Sequence, residues 1–221
     1  VTDAAASAAA AADAASAAAP WVLPIALDET TRPVLRPLPV RAAELLRDVQ
    51  APPRLVAHLR AVHDVAAQLV AWTAKRELPI DADAVLFGAA THDIGKALHP
   101  GELSGPGSQH EPAGRDLLLA NGIAPELAKY AANHSTLSTD STLDELLVSL
   151  ADTVWKGKRR TDLEDLVVAR LAAETGREVW DEFLELDTLL TEIGDGADER
   201  LAYQMGYPLG PVAPGAPVVQ K

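Results

Sequence analysis

Six side chains spread along the sequence, His58, His92, Asp93, His110, His134 and Asp152, are of the types that hold divalent metal ions. Neutral imidazoles and carboxylates together suit iron, manganese, cobalt, nickel or zinc, with magnesium as a further option. Six ligands are too many for one ion that must keep open positions for water and substrate. They suffice for two ions bridged by one carboxylate. Two such ions could activate water and clamp a phosphoryl oxygen, which would stabilise the attacking and the leaving oxygen together. The chain contains no cysteine, which excludes disulfides, thiolate zinc sites, cysteine-held iron–sulfur clusters and cysteine nucleophiles.

The elements that must carry these residues read as helices. After Pro52 and Pro53, a plausible helix start, Leu55, Leu59, Val62, Ala66 and Leu69 recur at three- and four-residue steps, one face of a helix. His58 shares that inward face. A helix from about Asp83 to Ile94 carries His92 on the same side as Val85 and Ala89, with Gly95 as its stop. Another opens near Glu111-Pro112 and ends at Asn121-Gly122, with His110 just before it. The next runs from Pro125 to about His134. Thr142 and Glu145 have capping-box spacing, and the helix behind them carries Leu146, Leu147, Leu150, Val154 and, within this apolar run, Asp152. A buried carboxylate is costly without a partner, and a metal ion is a natural one. A short helix is expected around Arg41–Val49, and further helices fill Asp162 to Met205. No strand pattern or internal repeat is found. The expected fold is all-α, a single helical domain over 41–206 between flexible tails: an Ala/Pro-rich segment at 1–40 and a Pro-rich one at 207–221.

The strings HLRAV at 58–62, THDIGK at 91–96, HEPAG at 110–114, NHS at 133–135 and LADTVWKGKR at 150–159 resemble the successive motifs of the HD-domain superfamily. Their order, His…His-Asp…His…His…Asp, is similar to its dinuclear branch. The resemblance spans about residues 50–160. It implies an all-α HD-domain bundle and a metal-dependent phosphohydrolase, with Asp93 bridging two ions. His58, His92 and Asp152 would complete one metal site, and His110 and His134 would hold the second. The short interval from His134 to Asp152 is similar to the HD hydrolases that cleave diadenosine tetraphosphate symmetrically. Trp155-Lys156-Gly157-Lys158 departs from the acidic-proline string which those enzymes carry after the aspartate. Other HD proteins share six such ligands but use a di-iron pair to oxidise carbon. A non-catalytic module that senses a nucleotide is a third reading.

The residues around the ligands point to an anionic substrate on their own. The formal net charge is −13, which disfavours long nucleic acid as a partner, yet Lys96 lies one turn after His92, and Lys156, Lys158, Arg159 and Arg160 follow Asp152. A helical Lys156 shares a face with Asp152. Lys offers phosphate a compact charge and Arg a forked pair of donors. Lys96, Lys156, Lys158 and Arg159 are therefore the candidate substrate-binding residues, and Asp93, Lys96 and Glu111 the candidate catalytic ones, Glu111 for proton transfer or for orienting His110, with capping of the helix as an equal alternative. The expected substrate is a nucleotide, a dinucleoside polyphosphate or a similar small phosphate ester. His63 is expected to face solvent or a neighbour. Trp72, Trp155 and Trp180 are expected to pack. Pro100–Gly107 is expected to be a loop, a cover or a connection. No apolar run approaches the roughly 20 residues that span a bilayer, and the Ala-rich start lacks a basic n-region, so a cytoplasmic protein is expected. A homodimer is compatible with the sequence.

Overall fold

The computed structural model describes Leu27 and residues 33–210. The expected flexible tails fall largely on residues 1–26, 28–32 and 211–221, outside the described residues. Nine α-helices and no strand occur among the described residues: α1 Val40–Asp48, α2 Pro53–Lys75, α3 Ala82–Thr91, α4 His110–Ala120, α5 Pro125–Asn133, α6 Leu143–Val154, α7 Thr161–Thr175, α8 Val179–Asp195 and α9 Ala197–Met205. Two 3-10 turns, Ile94–Ala97 and Pro100–Leu103, lie between α3 and α4. None of these helices is long and apolar enough to cross a membrane.

The long helix α2 is the axis of the bundle. Pro53 stands in its first turn, where a missing N–H costs nothing. Leu55, Val56, Leu59, Val62, Val65, Ala66 and Leu69 are fully buried, so apolar residues cover more than one stripe, as a central helix requires. Helices α3, α6 and α9 pack directly on it. Helix α3 is in turn sandwiched by α5 and α6. Its sequence allows this because it is small on the crowded side: a Cβ at Gly88 would lie 2.7 Å from the Tyr130 ring of α5. Asp81 caps α3 by accepting from the Ala84 N–H at 3.0 Å. Thr142 and Glu145 form the expected capping box at the start of α6.

The chain leading into the bundle is tied to α2 as well. Leu27, Leu35 and Leu38 are buried. Arg60 donates to the Leu35 carbonyl at 3.1 Å, and the Arg36 N–H donates to Asp64 Oδ1 at 3.1 Å. At the far end, Arg54 donates through its main chain to the Pro208 carbonyl and through Nε to that of Tyr207.

Several local expectations are corrected. The helix expected to reach Ile94 ends at Thr91, and the chain turns into a 3-10 segment from Ile94. His63, expected to face solvent or a neighbour, is buried. Trp180 is 65% exposed and stacks on Phe183, so it is a surface residue and not part of the core. Trp155 does pack, at 3% exposure.

Candidate metal centre

The six candidate ligands come from five places in the fold that share one interior. His58 is on α2, His92 caps the C-terminus of α3, and Asp93 follows as the chain leaves that helix. His110 opens α4, His134 caps the end of α5, and Asp152 lies in the last turn of α6. Two contacts explain why these elements meet. Gly95 lies against the start of α4 so closely that a Cβ there would come within 2.0 Å of the His110 carbonyl oxygen and 2.6 Å of Gly114 N. Ser149 of α6 donates to the His134 carbonyl at 2.7 Å, which fixes the end of α5 one turn from Asp152.

Asp93 is nearly fully buried, and its two oxygens face different partners. Oδ2 lies 3.2 Å from His58 Nε2 and 3.6 Å from His92 Nε2. Oδ1 lies 3.1 Å from His110 Nε2 and 3.6 Å from His134 Nε2. Asp152 Oδ1 completes the first group at 3.4 Å from His58 Nε2 and 3.5 Å from His92 Nε2. Ligand atoms of His58, His92 and Asp93 are close enough to hold a metal ion together, and so are those of Asp93, His110 and His134.

The donor chemistry of the rings fits such ions. His92 Nδ1 lies 3.0 Å from the Ala89 carbonyl oxygen and His134 Nδ1 3.2 Å from that of Ala131. A carbonyl only accepts, so the ring proton resides on Nδ1 and Nε2 turns its lone pair inward. Nε2 of His58, His92 and His110 and Oδ1 of Asp93 are buried and have no hydrogen-bond partner. Apart from Lys96 Nζ, which donates to Asp93 Oδ2, the centre leaves a gap in the bonding that a bound cation would close.

Burial and charge pull the site in opposite directions. Burial opposes the charge on Asp93, yet His92, His110 and His58 hold its carboxyl well below the usual range. Burial opposes Asp152 likewise, and His92, His58 and Lys156 hold it low. Burial lowers His58, and burial with the neighbouring His92 lowers His134. For His92 and His110 burial is outweighed by the carboxylates beside them, and both are raised. A centre that keeps its carboxylates ionised has the charge to attract divalent cations.

The family model of the HD domain matches residues 55–155. This stretch belongs to the HD-domain family. No curated protein and no solved structure matches the chain. Within the HD domain lie all six candidate ligands, and its His/Asp clusters could hold metal ions. Membership points to a metal-dependent, hydrolase-type activity.

The other expected site residues divide. Lys96 is at the centre: its Nζ lies 2.5 Å from Asp93 Oδ2, with 21% of the side chain exposed. Lys156 lies one turn beyond Asp152, its Nζ 5.5 Å from the centre of the Trp155 ring. Lys158 is exposed with no ion pair among the described residues. Arg159 is turned to other partners: Nε and Nη2 donate to the two oxygens of Glu164, and Nη2 also donates to Asp187. Glu111 accepts from Ser135 Oγ at 2.8 Å, beside His134 rather than on His110. The residue on His110 is Glu102, which sequence reasoning missed. Its Oε2 accepts from His110 Nδ1 at 2.6 Å. A loop residue eight positions away carries no periodic signal; the only hint was a carboxylate inside a glycine- and proline-rich connection. Trp155 packs edge-on against His58 at 5.0 Å between ring centres, a wall of the site.

Proposed function

We propose that this protein is a metal-dependent phosphohydrolase that binds two divalent cations and acts on a small phosphorylated molecule, a nucleotide or a dinucleoside polyphosphate. The observation that carries the reading is the division of the Asp93 carboxylate, one oxygen toward His58 and His92 and the other toward His110 and His134. In this reading His58, His92, Asp152 and Asp93 would hold one ion, and Asp93, His110 and His134 the other. Such ions, when bound, supply Lewis acidity to a phosphoryl oxygen and acidify water at neutral pH.

The chain's own residues would do the rest. Asp152 and Lys96 are the more open members of the centre, with 27% and 21% of their side chains exposed, so substrate would arrive on their side. Lys96, and Lys156 one turn after Asp152, would hold phosphate oxygens as point charges. In a chain of net charge −13, a pair of lysines here favours a compact anion over a long one. Trp155 and the aliphatic core behind His58 exclude water from the inner wall. Arg159 is left out of the substrate contacts because Glu164 and Asp187 occupy its guanidinium. Glu111, held by Ser135, would orient the His134 end of the centre.

The test is a panel of nucleotides and dinucleoside polyphosphates, incubated anaerobically with manganese- or cobalt-loaded protein and assayed for phosphate or nucleotide release. Hydrolysis under these conditions is the expected result. A strict requirement for iron and oxygen would overturn it in favour of substrate oxidation. Tight nucleotide binding without product would overturn it in favour of a sensor.

A further inference from the structure

We propose that Glu102 is a positioning residue for the second metal site, acting through His110. The inference rests on the two-ion reading above and concerns this chain's own loop, Pro100–Gly107. Glu102 sits in the 3-10 turn Pro100–Leu103 and reaches forward to the start of α4. Its Oε2 accepts from His110 Nδ1 at 2.6 Å and from the His110 backbone N–H at 3.2 Å, and its Oε1 accepts from the Gln109 N–H at 3.2 Å. Three donors thus converge on one carboxylate. The side chain of Gln109, at the N-cap position of α4, makes no capping bond, so Glu102 supplies the cap from outside the helix.

The same grip sets the imidazole. An ionised carboxylate only accepts, so Glu102 holds a proton on Nδ1 and leaves Nε2, 3.1 Å from Asp93 Oδ1, as the ring atom that would bind a cation placed between them. His92 and His134 are oriented by the neutral carbonyls of Ala89 and Ala131. Among these three rings His110 alone leans on a charged group, which makes its Nε2 the stronger donor to a cation. The loop is built around this contact. A Cβ on Gly107 would fall 2.4 Å from Glu102 Oε1 and 2.7 Å from its Cγ, whereas a Cβ on Gly101 meets nothing within 4 Å. Gly107 therefore leaves the room through which the carboxylate passes.

The experiment titrates full-length metal-free protein with cobalt(II) alone, following the visible absorption and the heat of binding, and needs no substrate. Wild-type protein is expected to take up two ions. Glu102→Ala is expected to weaken one of them by about 10–100-fold while the other, held by His58, His92 and Asp152, keeps its affinity. Glu102→Gln retains one oxygen for Nδ1–H and should lose less than the alanine variant. Gly107→Ala, which displaces the carboxylate without removing it, should reproduce the selective loss, and Gly101→Ala in the same loop should behave as wild type. The melting temperature of the metal-free variants reports the helix cap separately, since a cap alone would lower stability without favouring one ion over the other. Equal weakening of both ions, or two ions bound by Glu102→Ala with unchanged affinity, would overturn the role of Glu102 alone. Fewer than two ions on the wild type would overturn the two-ion reading itself and this inference with it.

Discussion

Asp93 can face two groups of imidazoles because it lies just outside α3, where its backbone leaves the helix at φ −102° and ψ 10°. An asparagine there would keep the shape but turn one end of the group into a donor that no cation accepts. Asp93→Asn is therefore expected to abolish uptake of the ion pair and turnover together, checked by metal analysis of the purified variant and by phosphate release. Retention of both ions would overturn the proposed bridging role of Asp93. Five residues along α2 from His58, His63 shows a different consequence of burial. It is 5% exposed with an unpartnered Nδ1, and burial pushes it down to about 4 from the usual 6.5. The unfolded chain takes up this proton near pH 6.5, whereas the folded one resists until about pH 4. His63 therefore draws stability away as pH falls through that window and has no effect above it. At about 1.4 kcal/mol per unit, the loss reaches at most about 3.5 kcal/mol. Urea denaturation at pH 7.5 and 4.5 should show His63→Phe losing less stability on acidification than wild type. Identical losses would place the acid sensitivity elsewhere. The identity of the metal-type ligands was legible because imidazole and carboxylate on apolar helix faces are unusual. For His63 solvent and a neighbour stayed equally open, because it sits one step off the Leu59–Val62 stripe and periodicity does not state which segment covers that position.

At the scale of elements, small residues decide how closely helices approach. The sequence points to Gly95 as a helix stop, yet α3 ends earlier, at Thr91, and the place of Gly95 is against α4. Its absent Cβ is what lets the His110 backbone come near Asp93. In Gly95→Ala the new carbon would meet backbone on two sides, at 2.0 Å from the His110 oxygen and 2.6 Å from Gly114 N, and backbone cannot rotate aside as a side chain does. The expected outcome is a loss of about 3 kcal/mol or more, at the upper end for overpacked contacts, with weakened metal uptake in whatever fraction folds. A wild-type melting curve and wild-type cobalt binding would contradict this. The capping box at α6 makes a gentler prediction. Thr142→Ala removes the acceptor for the Glu145 N–H and should cost about 1 kcal/mol in urea denaturation with little effect on the centre ten residues later. The helices themselves were largely legible from three- and four-residue spacing and from Pro53, Pro125 and Thr142. Both 3-10 turns were missed, because four residues do not establish a period.

Taken as a whole molecule, the HD domain gathers its candidate ligands from α2, α4, α5, α6 and the C-terminal end of α3, so a metal centre there would tie together most of the bundle. A ligand that binds only the folded state stabilises it by mass action, about 2.7 kcal/mol at a concentration 100 times its dissociation constant. For a chain of this size that is a rise of roughly 5–10 °C in melting temperature. Manganese or cobalt should therefore raise the melting temperature of metal-free protein, and a chelator should reverse it. Asp93→Asn should not respond. A wild-type melting temperature unmoved by either metal would argue against a built centre.

Two kinds of information meet in this protein. The sequence by itself determined the helical class, the order and chemistry of the six candidate ligands, and the capping box, because these follow from spacing and residue type within one or two turns of chain. Tertiary structure alone decided which Asp93 oxygen faces which histidines, that Glu102 grips His110, that Arg159 pairs with Glu164 and Asp187, and that Trp180 stays on the surface. Helical periodicity states which way a residue points from its own axis. It does not state how near another axis passes, and that separation is set by close contacts such as Gly88 on Tyr130 and Gly95 on His110, between residues 42 and 15 positions apart.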